Sequence, residues 1–101
     1  MNAPARHPSV DAEVLAAASW YEERCPGLGD QFLDALRTTI RAVQRNPSHF
    51  GIRFSDLRRA NLERFPYAVW FVHRVEGVYI LAVLHHKRDH RLFLRQRQFD
   101  P

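Results

Sequence analysis

Residues 58–89, RRANLERFPYAVWFVHRVEGVYILAVLHHKRD, read as three antiparallel strands with a basic exit. Residues 67–74 are apolar nearly throughout, with Val69, Trp70, Phe71 and Val72 in succession. Residues 78–84 are also apolar and β-branched, as in a strand covered on both faces. Val75, Glu76 and Gly77 form the short turn between them, with glycine where the backbone needs positive φ. Upstream, Pro66 interrupts residues 61–65, which suits an edge strand or a strand end better than a central strand. A hairpin does not stand alone in water, so the preceding chain reads as what covers this sheet.

That cover is helical. Residues 1–8 form a flexible lead-in or a short first strand, with Pro4 and Pro8 opposing regular structure. Ser9 is a fair N-cap, and Asp11 and Glu13 put negative charge in the first turn, where the helix dipole favours it. Val14, Leu15, Ala18 and Tyr21 then mark one face of a helix over residues 10–24. Cys25-Pro26-Gly27-Leu28-Gly29 breaks it. A second helix runs from Leu28 or Asp30 to Arg45, with the stripe Leu28, Phe32, Leu36, Ile40 and Val43, and Asn46-Pro47 ends it. Residues 48–57 read as a loop, and residues 90–101 as a tail, either a short helix or a frayed extension. The fold class is α+β in a single domain over residues 1–101: an N-terminal antiparallel helical hairpin packed on a small, mainly antiparallel, twisted β-sheet.

Composition agrees with one globular domain: 101 residues, 46% apolar and 12% aromatic. No apolar run approaches the roughly 20 residues of a membrane span, and residues 1–10 lack the apolar core of a secretory signal. The single cysteine, Cys25, forms no internal disulfide, and the cytoplasm is the expected compartment. The net charge of +4 is uneven: residues 1–50 carry five arginines against six acids, and residues 51–101 nine arginines and one lysine against five. The second half therefore faces an acidic partner, either nucleic acid or an acidic protein segment.

His85 and His86, with His90 and His73 nearby, invite a metal reading. Adjacent strand residues point to opposite faces, so the two do not share one ion; neither a metal nor a cofactor is expected. Trp20, Tyr21, Trp70 and Phe71 read as core and cover rather than a base-stacking platform. Cys25 has no neighbouring His or Lys to activate it, and Arg37, Arg41 and Arg45 form a solvated helix face. Arg58, Arg59, Arg64, Lys87, Arg88 and Arg91 read as converging on one sheet end, the candidate working surface for a binding partner.

The order of motifs resembles the RelE/ParE toxin superfamily of bacterial type II toxin–antitoxin modules. WYEER at 20–24 and PGLGDQF at 26–32 are similar to the helix junction of a ParE-like subgroup. NP at 46–47, RRANLERFPYAVWF at 58–71 and ILAVLHHKRD at 80–89 complete the pattern. The chain departs from the family at its first strand, which residues 2–7 supply weakly, and after Arg88-Asp89, where His90-Arg91-Leu92-Phe93 replaces Pro and an aromatic. The resemblance implies either of two modes. RelE-like members are ribosome-dependent mRNA endoribonucleases, but their central-strand basic residue falls here at Ala68, and their Tyr near Phe93 or Leu94. A ribonuclease on this chain would have to use Arg64, His85, His86 and Arg88, a different constellation. ParE-like members bind DNA gyrase without catalysis, and the vacant ribonuclease positions favour that mode. A non-toxic interaction module of the same fold stays open. In each case the resemblance implies a cognate antitoxin and a toxin–antitoxin hetero-oligomer, with docking at the strand edge of residues 61–65 and in the groove beside the helical hairpin.

Overall fold

The computed structural model describes residues 4–88 and 91–98; the side chains of Arg91, Leu92, Phe93 and Gln98 lie outside the described set. The elements run β1 (Ala5–Arg6), α1 (Val10–Arg24), α2 (Leu28–Arg45), a 3-10 turn (Pro47–His49), β2 (Ile52–Phe54), β3 (Leu57–Asn61), β4 (Tyr67–Arg74), β5 (Gly77–His85) and α3 (Arg91–Gln98). The sheet order is β1-β5-β4-β3-β2, antiparallel except for β1, which runs parallel to β5 through Ala5↔Tyr79 and Arg6↔Ile80. No described helix is long and apolar enough to cross a membrane.

β4 and β5 are the centre, as their unbroken apolar runs require. Arg74 pairs with Gly77, whose φ is +128°. Along the pair, Trp70 lies opposite Ala82 and Phe71 opposite Ile80, so Leu81 is one residue too many on β5. This bulge divides the strand between two cores. Val69, Phe71, Ile80 and Val83 pack with Phe32, Leu36 and Val43 under the hairpin. Ala68, Trp70, Val72, Leu81, Ala82 and Leu84 pack with Leu57 and Leu94 on the opposite side.

β3 is an interior strand, between β4 and β2, and it ends at Asn61, so of the two readings of residues 61–65 the strand end holds and the edge strand does not; a connection leads on to Pro66. The 48–57 loop contains the 3-10 turn and β2, the outer strand. β2 is three residues long and irregularly paired, so no alternation marks it in the sequence. The residues 90–101 tail contains α3, anchored by fully buried Leu94.

Both hairpin helices match their expected bounds, and of the expected α1 face Ala18 is buried and Val14 and Tyr21 pack against the core, while Leu15 does not. The buried residues of α1 are Val10, Ala17 and Ala18, whereas Leu15 is 68% exposed. Ser9 precedes α1 without a side-chain cap bond; its backbone N–H donates to His7 Nδ1 at 3.1 Å. α2 keeps its stripe, burying Phe32, Leu36 and Val43 with Leu28 and Ile40 packed beside them.

The tight α1–α2 junction explains why WYEER and PGLGDQF occur together. The Glu22 carboxylate accepts the backbone N–H groups of Gly27, at 3.0 and 3.1 Å, and Gly29, at 3.0 Å. It satisfies orphan donors at the start of α2 and places a negative charge at that helix's positive end. Gly27 takes φ +89°, and Gly29 lies so close to α1 that a Cβ would meet the Ala18 carbonyl oxygen at 2.7 Å.

Candidate functional site

Three surfaces carry the chemistry: the outer side of α1, the sheet end beyond His85, and the sheet face turned away from the hairpin. α1 is apolar on more than one side. Ala12, Leu15, Ala16 and Trp20 are all exposed, with Trp20 at 50%. A helix with one buried face usually presents charge on the other; here the exposed charges, Asp11, Glu22, Glu23 and Arg24, are confined to the two ends, and none is exposed from Ala12 to Trp20. Arg24 lies over the Trp20 ring, 3.5 Å from its centroid, and donates to the Trp20 carbonyl at 3.0 Å. A groove of about 910 Å³ runs along this side, lined by Ala12, Ala16, Trp20, Tyr67, Val83 and Arg88 among others. A second groove, of about 710 Å³, lies between α1 and α2, with Val14, Leu15, Leu33 and Ile40 inside and Arg37 and Arg41 at its border.

Beneath the first groove, Tyr21, Phe32, Phe65 and Tyr67 interlock with ring centroids 4.9 to 6.1 Å apart. Burial raises the pKa of Tyr21, with a smaller contribution from Tyr67, and burial also raises that of Tyr67. Their stabilising contribution is therefore whole below the ordinary value of 10.0 and is lost as pH rises through the folded values. An alkaline titration followed by tyrosinate absorbance should show a late component that disappears in the Tyr21→Phe/Tyr67→Phe double variant. Ionisation of both tyrosines at the ordinary midpoint would refute this.

At the sheet end, His85 closes β5 opposite Tyr67, its ring 5.2 Å from the Tyr67 ring and its Nδ1 accepting the Lys87 N–H at 3.1 Å. His86, Lys87 and Arg88 are exposed in the following turn, which is tied back by the His86 N–H donating to the Pro66 carbonyl at 2.8 Å. Arg64 is at the same end, exposed, with φ +69° and its guanidinium 5.8 Å from the Phe65 ring. Arg91's side chain, His90 and Asp89 lie outside the described residues. Among the described residues no three of His, Cys, Asp and Glu are gathered closely enough to hold a metal ion.

Arg58 and Arg59 stand apart from that end and from each other. Arg58 pairs with Phe71 on the hairpin side, and its guanidinium donates to the Phe50 carbonyl at 2.6 Å. Arg59 pairs with Trp70 on the opposite face, 5.7 Å from that ring's centroid. Burial lowers its pKa, and repulsion from Arg53 lowers it further. Strand alternation separates Arg58 from Arg59, and the register, which the sequence does not show, sets both back from the end that holds Arg64 and Arg88.

The largest polar construction was not expected. Glu13 of α1 accepts the Val83 N–H at 3.1 Å and an Arg97 N–H at 2.7 Å, while Arg97 of α3 also donates to the Leu81 carbonyl at 2.9 Å. β1 covers β5 only at Tyr79 and Ile80, so these two side chains take over where the partner strand stops. The residues are 84 apart in sequence, and no local pattern joins them.

The family profile described as "ParE toxin of type II toxin-antitoxin system, parDE" matches residues 6–90. A chain of the solved structure described as "Chromosomal ParDE TA system from P. aeruginosa" has the same fold, with a TM-score of 0.71 at 17% sequence identity, over 84% of this chain and 96% of that one. No curated protein matches the sequence significantly.

Proposed function

Because this chain belongs to the ParE toxin family of type II toxin–antitoxin systems, we propose that it acts by binding, as an inhibitor of DNA gyrase neutralised by a cognate antitoxin. The supporting observation is what fills the place of ribonuclease chemistry. Ala68, where ribonuclease relatives carry a basic group, is 1% exposed within the apolar core, and Leu94 is fully buried. Phosphodiester cleavage needs a proton-transfer group and a cation converging on one phosphate. Here such a pair could come from His85 with Arg88 or Arg64 at the sheet end, not from the places where ribonuclease relatives carry theirs. A binder needs only a surface.

The antitoxin is assigned to the outer side of α1 and its two grooves, where exposed Leu15 and Trp20 offer apolar anchoring points. A segment that folds as it binds would cover that helix, with acids reaching Arg37 and Arg41.

The experiment is pulse-labelling of DNA and protein synthesis after inducing this chain in a bacterial host that lacks the antitoxin. DNA synthesis should fall first, with gyrase–DNA cleavage complexes accumulating. If protein synthesis falls first, the ribosome is the target and His85, His86, Arg64 and Arg88 become the residues to replace. If neither falls while the chain is folded, the non-toxic module is the better account.

A further inference from the structure

We infer that the sheet end beyond His85 binds the phosphodiester backbone of duplex DNA, with Arg64 and Lys87 as its phosphate contacts. This goes beyond the proposed function, since a gyrase inhibitor need not touch DNA itself.

The two cations reach this end on separate segments that the backbone ties together. The His86 N–H donates to the Pro66 carbonyl at 2.8 Å, which joins the bend carrying Arg64 to the turn carrying Lys87. Within that turn His85 Nδ1 accepts the Lys87 N–H at 3.1 Å, and the His85 carbonyl accepts the Arg88 N–H at 3.1 Å. The Arg64 guanidinium is 5.8 Å from the Phe65 ring, which is buried and interlocked with Tyr21 and Phe32. Both cations are thus exposed on a fixed base.

Arg64 adopts φ +69°, the left-handed region that a Cβ disfavours and that glycine enters freely. Beyond its contact with the Phe65 ring, nothing inside the fold accounts for an arginine there. Among the described residues neither Arg64 nor Lys87 has an acid partner. Glu63, the neighbouring acid, pairs with neither, and Glu22 is taken up by the N–H groups of Gly27 and Gly29. Backbone strain kept at an exposed, unneutralised charge points to something outside the fold that the charge meets.

What surrounds the two cations selects the partner. A protein partner buries an apolar centre, and the exposed neighbours here are Asn61, Glu63, Pro66, His86 and Arg88, none of them large and apolar. The exposed large apolar side chains are Leu15, Trp20, Ile52 and Val75; of these Trp20 adjoins, opening into the groove along α1 with Arg24 over its ring. Single strands are held by stacking on open aromatic rings, but Tyr21, Phe65 and Tyr67 are engaged with one another and Trp20 with Arg24. Fixed cations in polar surroundings suit the regular phosphates of a duplex, and the guanidinium fork matches phosphate oxygens in pairs.

The test is fluorescence anisotropy of the full chain with a short labelled DNA duplex, repeated over a range of salt concentrations. The logarithm of affinity should fall linearly with the logarithm of salt, and each of Arg64→Gln and Lys87→Gln should make the slope shallower by about 0.9. Glu63→Gln should tighten binding, and Arg41→Gln, the same charge change on α2, should leave the slope unaltered. Arg64→Gly separates contact from fold: it should melt no lower than the parent chain while binding as weakly as Arg64→Gln. Unchanged slopes in both Arg64→Gln and Lys87→Gln overturn the inference. So does tighter binding of a single-stranded RNA of equal length. Displacement by polyglutamate as effective as by unlabelled duplex also overturns it, and would make this an acidic-protein surface. Gyrase supercoiling assays on the same variants separate this site from the proposed target. Duplex binding without gyrase inhibition rejects only the target, and inhibition with unchanged slopes rejects only this site.

Discussion

Gly29→Ala should destabilise the fold by about 2–3 kcal/mol, although alanine is the better helix former by about 1 kcal/mol. The added methyl would stand 2.7 Å from the Ala18 carbonyl oxygen and 3.0 Å from Glu22 Oε1. The first is helix backbone and yields only if α1 moves as a body. The second belongs to the carboxylate that caps α2, so the shift also weakens the bonds to Gly27 and Gly29. For a domain of this size the melting temperature should drop by roughly 10–20 °C. Gly51→Ala is the control, because a Cβ there meets nothing within 4 Å and should change stability little. Thermal unfolding followed by circular dichroism decides, and equal melting temperatures for the two variants would show that the hairpin can open at no cost.

Glu13→Ala should cost about 3 kcal/mol, the usual penalty for leaving one member of a buried ion pair without its partner. Glu13 and Arg97 are 14% and 11% exposed at their side chains, so solvent replaces little of what the carboxylate provided. The loss also removes an acceptor from the Val83 N–H, beside an edge that β1 leaves uncovered. Amide exchange at Val83 should therefore quicken more than at Val69, its partner in the centre of the sheet. Adding Arg97→Ala should cost less than its effect alone, because the guanidinium that lost its carboxylate is removed with it. Additive effects in that cycle would show that the contact carries no coupling.

These two sites differ in how visible they were beforehand. Cys25-Pro26-Gly27-Leu28-Gly29 reads at once as a helix break, and both helices end where that punctuation places them. Gly29's second role, close approach to Ala18, needs the angle between the helices, which no spacing encodes. The apolar runs of β4 and β5 were legible because strands covered on both faces have no polar alternation to hide. For the same reason their bulge at Leu81 was not, since one extra apolar residue in an apolar run leaves no mark. α1 was legible as a helix and ambiguous in its facing. Leu15 fits the expected stripe as well as Val14 does, because the helix is apolar on its outer side too. The basic residues could be named but not placed. Arg58 and Arg59 are neighbours in sequence, and the pleat puts the sheet between them.

The short parallel strand β1 has a consequence for the order in which the molecule is made. Ala5 pairs with Tyr79, so the first strand to leave the ribosome waits for almost the last one. At about 5–20 residues per second that interval is roughly 4–15 s. α1 and α2 are translated early in it, and their junction is held by contacts between residues 18 and 29, all local. The outer side of α1 thus emerges seconds before the β3–β4 pairing that sets Arg59 over Trp70.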